Sequence, residues 1–342
     1  LFFLLINLTF FSFSFAQPCF LPRVDYTFPG TPGNVYRPVS ITAADFNGDG
    51  KQDVAVANYA MAYGISAFMG TGTGSFSPTG ASYTLGYVPE AVVSADFNSD
   101  GKIDLAAIGS STATAIRISI LNGVGTGSFT VGTSYTLAAD VSMGGWVLNT
   151  GDYNGDGKKD LCYLKTGSPT STVTCLLGNG LGSFPTVSTY TYSGIYSRMR
   201  TSDFNNDGKS DIAFNSTSSV LQIKFGAPTG LAAATSSYTS IGSGWLAAGD
   251  FNGDSNEDLG VISSNTLKIL LGSPTGTFSA ATTYSMGASM SYITTGDYDL
   301  DGYDDLAMQT SSGTLVTLLG SITGTLSQGL QYSSIGDRDI IT

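Results

Sequence analysis

The 342-residue chain carries one acidic nonapeptide pattern six times. Four copies follow D-x-N-x-D-G-x-x-D: Asp45, Asn47, Asp49 and Asp53; Asp96, Asn98, Asp100 and Asp104; Asp152, Asn154, Asp156 and Asp160; Asp203, Asn205, Asp207 and Asp211. The fifth has Asp250, Asn252, Asp254 and Asp258, with Ser255 where the others have glycine, and the sixth has Asp297, Asp299, Asp301 and Asp305. Hard oxygen donors at alternate positions of a tight loop can converge on one Ca²⁺, whose six to eight oxygens tolerate flexible geometry. A seventh-position backbone carbonyl, at Lys51, Lys102, Lys158, Lys209, Asn256 or Tyr303, would add a further oxygen. Mg²⁺ demands a tighter octahedron and fits less well. These loops lack the twelfth-position Glu of an EF-hand, and their ninth-position Asp opens the next apolar stretch instead.

Asp, Asn and Gly are also ordinary turn residues, so one such loop would leave the two explanations even. Six in register favour a metal. The proposed ligand positions hold 19 of the 26 acidic residues, and six Ca²⁺ would cancel the formal charge of −12. Carboxylates clustered without a cation would repel one another and resist desolvation. The expectation is Ca²⁺ at about six structural sites.

Other chemistry is scarce. The chain has no histidine, which removes Ser-His and Cys-His nucleophile pairs and imidazole metal sites. Acids outside the proposed ligand positions are Glu90, Glu257, Asp25, Asp140, Asp304, Asp337 and Asp339, with Arg198, Arg200 and Tyr196 as charge partners. They are scattered without repeated pairing, which argues against an enzyme. The net negative charge opposes nucleic acid and anionic membranes. A hydrophobic share of 42% against 12% charged residues excludes a disordered chain.

The loops need elements to hold them. Their first aspartates are spaced by 51, 56, 51, 47 and 47 residues, a period of propeller blades rather than helical solenoids. Each repeat reads as four short strands: one entering the loop, one leaving it, one ending in a Gly-rich turn, and one carrying Tyr83, Tyr135, Tyr190, Tyr238, Tyr284 or Tyr332. No sustained helical stripe interrupts them. The fold class is therefore all-β, a β-propeller of four-stranded blades forming a single domain over residues 17–342.

With Phe225-Gly226-Ala227-Pro228 in its fourth repeat and variants in the others, the chain resembles the FG-GAP/VCBS repeat family, which includes the N-terminal propeller of integrin α chains. The resemblance covers residues 20–342. Phe20–Phe28, with Tyr26, resembles a fourth strand, and Asp339–Thr342 resembles the strand before another loop. The reading favours a seven-bladed ring whose seventh blade is incomplete, with a six-bladed ring as the alternative.

Leu1–Ala16 is almost wholly apolar and reads as a signal peptide that is itself N-terminally incomplete, so secretion is expected, with no membrane span in the mature chain. Cys162 and Cys175 flank the polar stretch Thr166–Thr172 symmetrically, and a hairpin there would pair them as a disulfide. Cys19 is left over for a partner outside this sequence. Asn215-Ser216-Thr217 is a glycosylation sequon expected in a loop.

The resemblance implies a non-enzymatic binding or adhesion module for a glycan or an extracellular protein. A carbohydrate-active, lyase-like enzyme and a structural matrix or filament protein stay open as alternatives, and the oligomeric state is not assigned. One aromatic residue per inter-blade connection, Tyr36, Tyr87, Trp146, Tyr196, Trp245 and Tyr292, could face a ligand or pack between blades.

Overall fold

The computed structural model describes residues 38–59, 64–77, 81–112, 115–138, 146–233 and 235–332. These residues form six antiparallel four-stranded sheets, each a meander in chain order. The first sheet is Pro38–Ala44, Asp53–Asn58, Ile65–Phe68 and Ala81–Tyr83, and the second is Val88–Ala95, Asp104–Thr112, Ala115–Gly123 and Phe129–Ala138. The third is Trp146–Gly151, Asp160–Lys165, Thr170–Leu177 and Thr186–Ser193. The fourth, Tyr196–Ser202, Asp211–Ser216, Leu221–Lys224 and Ser236–Tyr238, also carries the small hairpin Gly226–Ala227 and Gly230–Leu231. Leu246–Gly249, Asp258–Ser263, Thr266–Leu270 and Thr282–Ser285 make the fifth, and Met290–Gly296, Asp305–Thr310, Leu315–Leu319 and Ser327–Tyr332 the sixth.

The innermost strands of five sheets, with Trp245 just before the inner strand of the fifth blade, line one central channel of about 410 Å³, so the molecule is a six-bladed propeller. This corrects the seven-bladed count in favour of its alternative. Each acidic loop already belongs to a sheet with its own fourth strand, and the one further pair of described strands is the hairpin of the fourth blade. The flanks from which a seventh blade was inferred, residues 20–28 and 339–342, lie outside the described residues, as do Cys19 and the apolar segment 1–16.

Blades pack through the second strands. Asp53–Asn58, Asp160–Lys165, Asp211–Ser216 and Asp305–Thr310 are buried along their whole length, because both faces of each sheet meet a neighbour. That is why these runs are apolar without alternation. Buried clusters join successive blades: Phe46 and Ile65 meet Leu105 and Phe129, for example, and Phe204 and Ile223 meet Leu259 and Leu270. Fourth strands form the wet rim, as in Thr186–Ser193.

A tyrosine latch completes most of these interfaces. The Phe129, Phe184, Phe278 and Leu326 N–H groups donate to the Tyr83, Tyr135, Tyr238 and Tyr284 hydroxyls of the preceding blade, at 2.9, 3.1, 3.2 and 3.1 Å. Tyr190 instead donates to the Leu231 carbonyl on the fourth-blade hairpin, at 2.6 Å. The rings meet edge to face, Tyr83 with Phe129 at 5.7 Å and Tyr135 with Phe184 at 5.9 Å. Among the described residues no helix is long and apolar enough to cross a membrane.

Cys162 and Cys175 oppose each other across the third-blade hairpin and are disulfide-bonded. Asn215 is corrected: it lies inside the buried second strand of the fourth blade, not in a loop, and its Nδ2 donates to the Gly244 carbonyl at 2.7 Å. No glycan can be attached there without unfolding that strand. Replacing both cysteines by serine should lower stability by about 2–3 kcal/mol, the cost of freeing a loop of this size in the unfolded chain. Urea unfolding of the double variant under non-reducing conditions checks this.

Candidate metal centres

Every acidic loop is wound around its own side chains. The Asp45 carboxylate accepts the N–H groups of Gly48, Asp49 and Gly50 at 2.7, 3.2 and 2.8 Å. Asn47 Oδ1 accepts Asp49 N–H at 2.9 Å, and Asp49 Oδ1 accepts Lys51 N–H at 3.0 Å. The bonds from the fifth, sixth and seventh residues recur around Asp96, Asn98 and Asp100; Asp152, Asn154 and Asp156; Asp203, Asn205 and Asp207; and Asp250, Asn252 and Asp254, and the bond from the fourth recurs at Gly155 and Gly253. Oxygens at the first, third and fifth positions are thereby turned into the loop. The Gly50 N–H holds Asp45 below the usual carboxylate range, and the Lys51 ammonium does the same for Asp49.

The seventh-position lysines add something the sequence did not disclose. Their ammonium groups reach the fifth-position carboxylates: Lys51 to Asp49 at 2.9 Å, Lys102 to Asp100 at 3.6 Å, Lys158 to Asp156 at 3.4 Å and Lys209 to Asp207 at 3.2 Å. In the last two loops Asn256 and Tyr303 replace lysine, and Asn256 Nδ2 donates to Asp254 Oδ1 at 2.7 Å.

The ninth-position aspartates are of a different kind. Asp53, Asp104, Asp160, Asp211, Asp258 and Asp305 are all fully buried. One oxygen of each accepts the N–H of the second loop residue: Phe46, Phe97, Tyr153, Phe204, Phe251 or Tyr298, at 2.9–3.1 Å. The other accepts the N–H of the glycine closing the third strand: Gly70, Gly123, Gly178, Gly226, Gly272 or Gly320, at 2.6–2.8 Å. A Cβ on Gly70, Gly123, Gly178 or Gly272 would collide with the backbone carbonyl of Gln52, Ile103, Lys159 or Glu257, so only glycine brings this N–H to the carboxylate. Burial pushes Asp160 and Asp305 up to about 6, and Asp211 and Asp258 up to about 7.

The sixth loop tests the fit of a cation most directly. Carboxylate oxygens of Asp297, Asp299 and Asp305 lie within 4.8 Å of one another, the one such cluster among the described residues. Asp299 Oδ1 is buried and without a hydrogen-bond partner. Burial and the Asp301 and Asp297 carboxylates push Asp299 up. Hard oxygens in this crowding suit Ca²⁺.

The loop backbone also explains Ser255. The sixth loop position is left-handed, with φ of 80° at Gly50, Gly101 and Gly157, and Ser255 takes φ 65° and still donates to Asp250 at 2.7 Å. The fourth position is left-handed too, and there the sixth loop places Leu300 at φ 61° with 85% of its surface exposed.

The aromatic candidates part company. Tyr87 is fully buried, its hydroxyl donating to the Ala107 carbonyl at 2.8 Å, and Tyr196 is buried against Tyr192 and Phe214. Both pack between blades and offer nothing to a ligand. Trp245 and Tyr292 lie together at the channel, ring centroids 4.7 Å apart, with the Arg198 guanidinium 4.0 Å from the Trp245 centroid. Trp146 opens the inner strand of the third blade with only its backbone described, and Tyr36 lies outside the described residues.

The FG-GAP-like repeat matches residues 45–107, 96–163, 152–214 and 250–308. The chain belongs to the FG-GAP-like repeat family. Each match starts on a first-position aspartate and runs through the acidic loop of the next blade. No match starts at Asp203, whose blade carries the additional hairpin. No curated protein matches the chain in sequence. Among solved structures it is similar to an Agrocybe aegerita lectin that specifically recognises non-reducing terminal N-acetylglucosamine, with TM-score 0.56, 14% identity, and 87% of this chain and 79% of that one covered. It is also similar to BBS1N in complex with ARL6DN, with TM-score 0.54, 12% identity, and 83% and 79% covered. At these identities the likeness is one of fold.

Two outcomes are expected from substitution. Asp160→Asn should cost about 2–3 kcal/mol, because an amide cannot accept from both Tyr153 and Gly178 N–H groups; a melting temperature equal to wild type would contradict the bridge. Ser255→Gly and Leu300→Gly should each stabilise by about 0.5–1 kcal/mol, the left-handed penalty less the entropy of glycine, as read by denaturant midpoint.

Proposed function

We propose that the protein is a secreted, calcium-stabilised propeller acting as a non-enzymatic binding or adhesion module for glycans or cell-surface proteins. The observation that carries the calcium reading is the sixth loop, where three carboxylates crowd together and one of them, Asp299, has a buried, unpartnered oxygen. Asp297, Asp299, Asp301 and Asp305 would hold the ion there. The corresponding residues of the other five loops, turned inward by the same hydrogen bonds, would hold five more. A bound Ca²⁺ supplies the positive charge that lets buried and crowded carboxylates ionise. Its role is structural, since each loop sits between the first two strands of a blade.

Binding rather than catalysis is supported by where the remaining acids lie. Glu90 is the one carboxylate among the residues lining the channel. Glu257 and Asp304 sit in acidic loops, and Asp304 accepts the Asp250 N–H of the preceding blade at 2.9 Å. Asp25, Asp140, Asp337 and Asp339 lie outside the described residues. The fold neighbours include a sugar-recognising lectin and a propeller in complex with a protein, and both uses suit a rigid ring with a central mouth. The disulfide and the apolar segment Leu1–Ala16 support secretion.

Calorimetry with and without chelator, paired with a glycan array, tests the reading. Chelation should lower the melting temperature by on the order of 10 °C and abolish glycan retention. An unchanged melting curve in excess chelator would refute the calcium role, and turnover of any arrayed sugar would refute the non-enzymatic one.

A further inference from the structure

Although the chain is strongly acidic, two cations face its centre. Arg198 and Arg200 are two residues apart on the inner strand of the fourth blade and so share a face. Arg200 lines the central channel, and Arg198 lines an adjoining cavity of about 450 Å³, with Trp245 and Tyr292 forming the wall common to both. Each guanidinium spends one Nη1 hydrogen on a backbone carbonyl of its own strand, Arg198 on Ser197 at 2.8 Å and Arg200 on Met199 at 3.1 Å. Among the described residues no carboxylate pairs with either, and Arg198 Nε is buried without an acceptor. Burial, with a smaller contribution from the Arg198 charge, brings Arg200 down to about 10. On the third blade's inner strand, Asn149 Nδ2 is a further buried donor without an acceptor, and it lines the same channel.

Arg198 Nε and Asn149 Nδ2 are donors whose acceptor is missing, and among the described residues Arg200 has no carboxylate partner. Two neighbouring cations withdrawn from water are costly unless an anion completes them. Trp245 fixes the position of one by stacking on it.

We propose that Arg198, Arg200 and Asn149 form the receptor for a carboxylated saccharide, an acidic sugar residue whose carboxylate bridges the two guanidiniums. This deepens the glycan-binding reading and rests on it. A guanidinium matches a planar carboxylate with two parallel hydrogen bonds, which an ammonium cannot do. Thr42, Ser94, Thr150 and Thr201 line the same channel, Thr42 bonded to Ser94, Thr150 to the Asp160 carbonyl and Thr201 to the Tyr153 hydroxyl, so the wall is polar as well as aromatic and suits a ligand with hydroxyls beside its one charge. An acidic peptide has the charge without the hydroxyls. The channel volume falls within the range of small-molecule sites.

Calorimetric titration of the calcium-loaded full chain tests this, with a galacturonate tetrasaccharide, the matching neutral galactose tetrasaccharide and polyglutamate as probes. The uronate is expected to bind at least tenfold more tightly than the neutral sugar, with an affinity that weakens as salt is raised. Arg198→Gln and Arg200→Gln should each lose at least tenfold in uronate affinity while melting at or above the wild-type temperature, because an unpaired cation has been removed. If a glutamine variant melts early, Arg200→Lys keeps the charge and removes the fork, and it should still lose most of the preference for uronate. Equal affinity for neutral and acidic sugars, or unchanged uronate binding in the Arg198→Gln/Arg200→Gln double variant, would overturn the proposal. Tighter binding of polyglutamate would also overturn it and assign the site to acidic protein. Absence of uronate binding in a sample whose melting still responds to chelator removes the channel site and leaves the calcium reading standing.

Discussion

One buried carboxylate per blade holds the architecture together. The ninth-position aspartate, fully buried in all six loops, receives one N–H from the start of its loop and one from the turn that ends the third strand. Two segments that share no strand pairing are thereby tied to the beginning of the second strand. The second loop residue, pinned by this bond, drops its ring into the core between blades; Phe46, Phe97, Tyr153, Phe204 and Phe251 are all buried there. Its carbonyl then receives an N–H from the following blade, as Phe46 does from Gly127 and Phe97 from Gly182, at 3.1 and 3.0 Å. Loop, turn and blade interface form one hydrogen-bonded unit.

This arrangement sets burial against charge. A carboxylate satisfied by two backbone donors is still withdrawn from water, and its acidic neighbours in the loop discourage ionisation further, as the upward shifts of Asp160, Asp211, Asp258 and Asp305 show. The four seventh-position lysines answer part of the negative charge from the solvent side. In the fifth and sixth loops that cation is absent, and the sixth loop adds a fourth carboxylate. The need for a bound ion is accordingly greatest there. Charge is also divided in space, with most acids in the loops and two arginines at the hub beside one glutamate, Glu90.

Much of this was legible in the sequence because it is local. Loop spacing gave the blades, the tyrosine positions fell on the fourth strands, and the symmetric cysteines fell on a hairpin. What stayed hidden depends on a neighbouring blade. Nothing in Asn215-Ser216-Thr217 distinguishes a surface sequon from a central strand sealed by the next sheet, where Asn215 bonds Gly244. Tyr87 and Trp245 look alike as lone aromatics between repeats, yet one is sealed between blades and the other meets Arg198 at the channel. The glycine closing each third strand reads as a generic turn residue until the carbonyl pressed against it is seen. Residues 20–28 and 339–342 resemble strands in sequence without an acidic loop of their own, whereas the six complete loops each belong to one four-stranded sheet.

The latch from each tyrosine to the following blade carries an implication for ancestry. Because the repeating stretch of sequence begins at one acidic loop and ends beyond the next, it carries complementary halves of two successive junctions rather than one whole sheet: residues 96–163 hold Phe129, which donates back to Tyr83, and Tyr135, which accepts from Phe184 of the next blade. A gene duplication copying that stretch delivers a ready-made seam along with the new material, so circles of different circumference can arise without inventing fresh contacts. The fourth-blade hairpin, where Leu231 accepts from Tyr190 in place of the usual phenylalanine contact, shows that a seam also survives substitution of its parts.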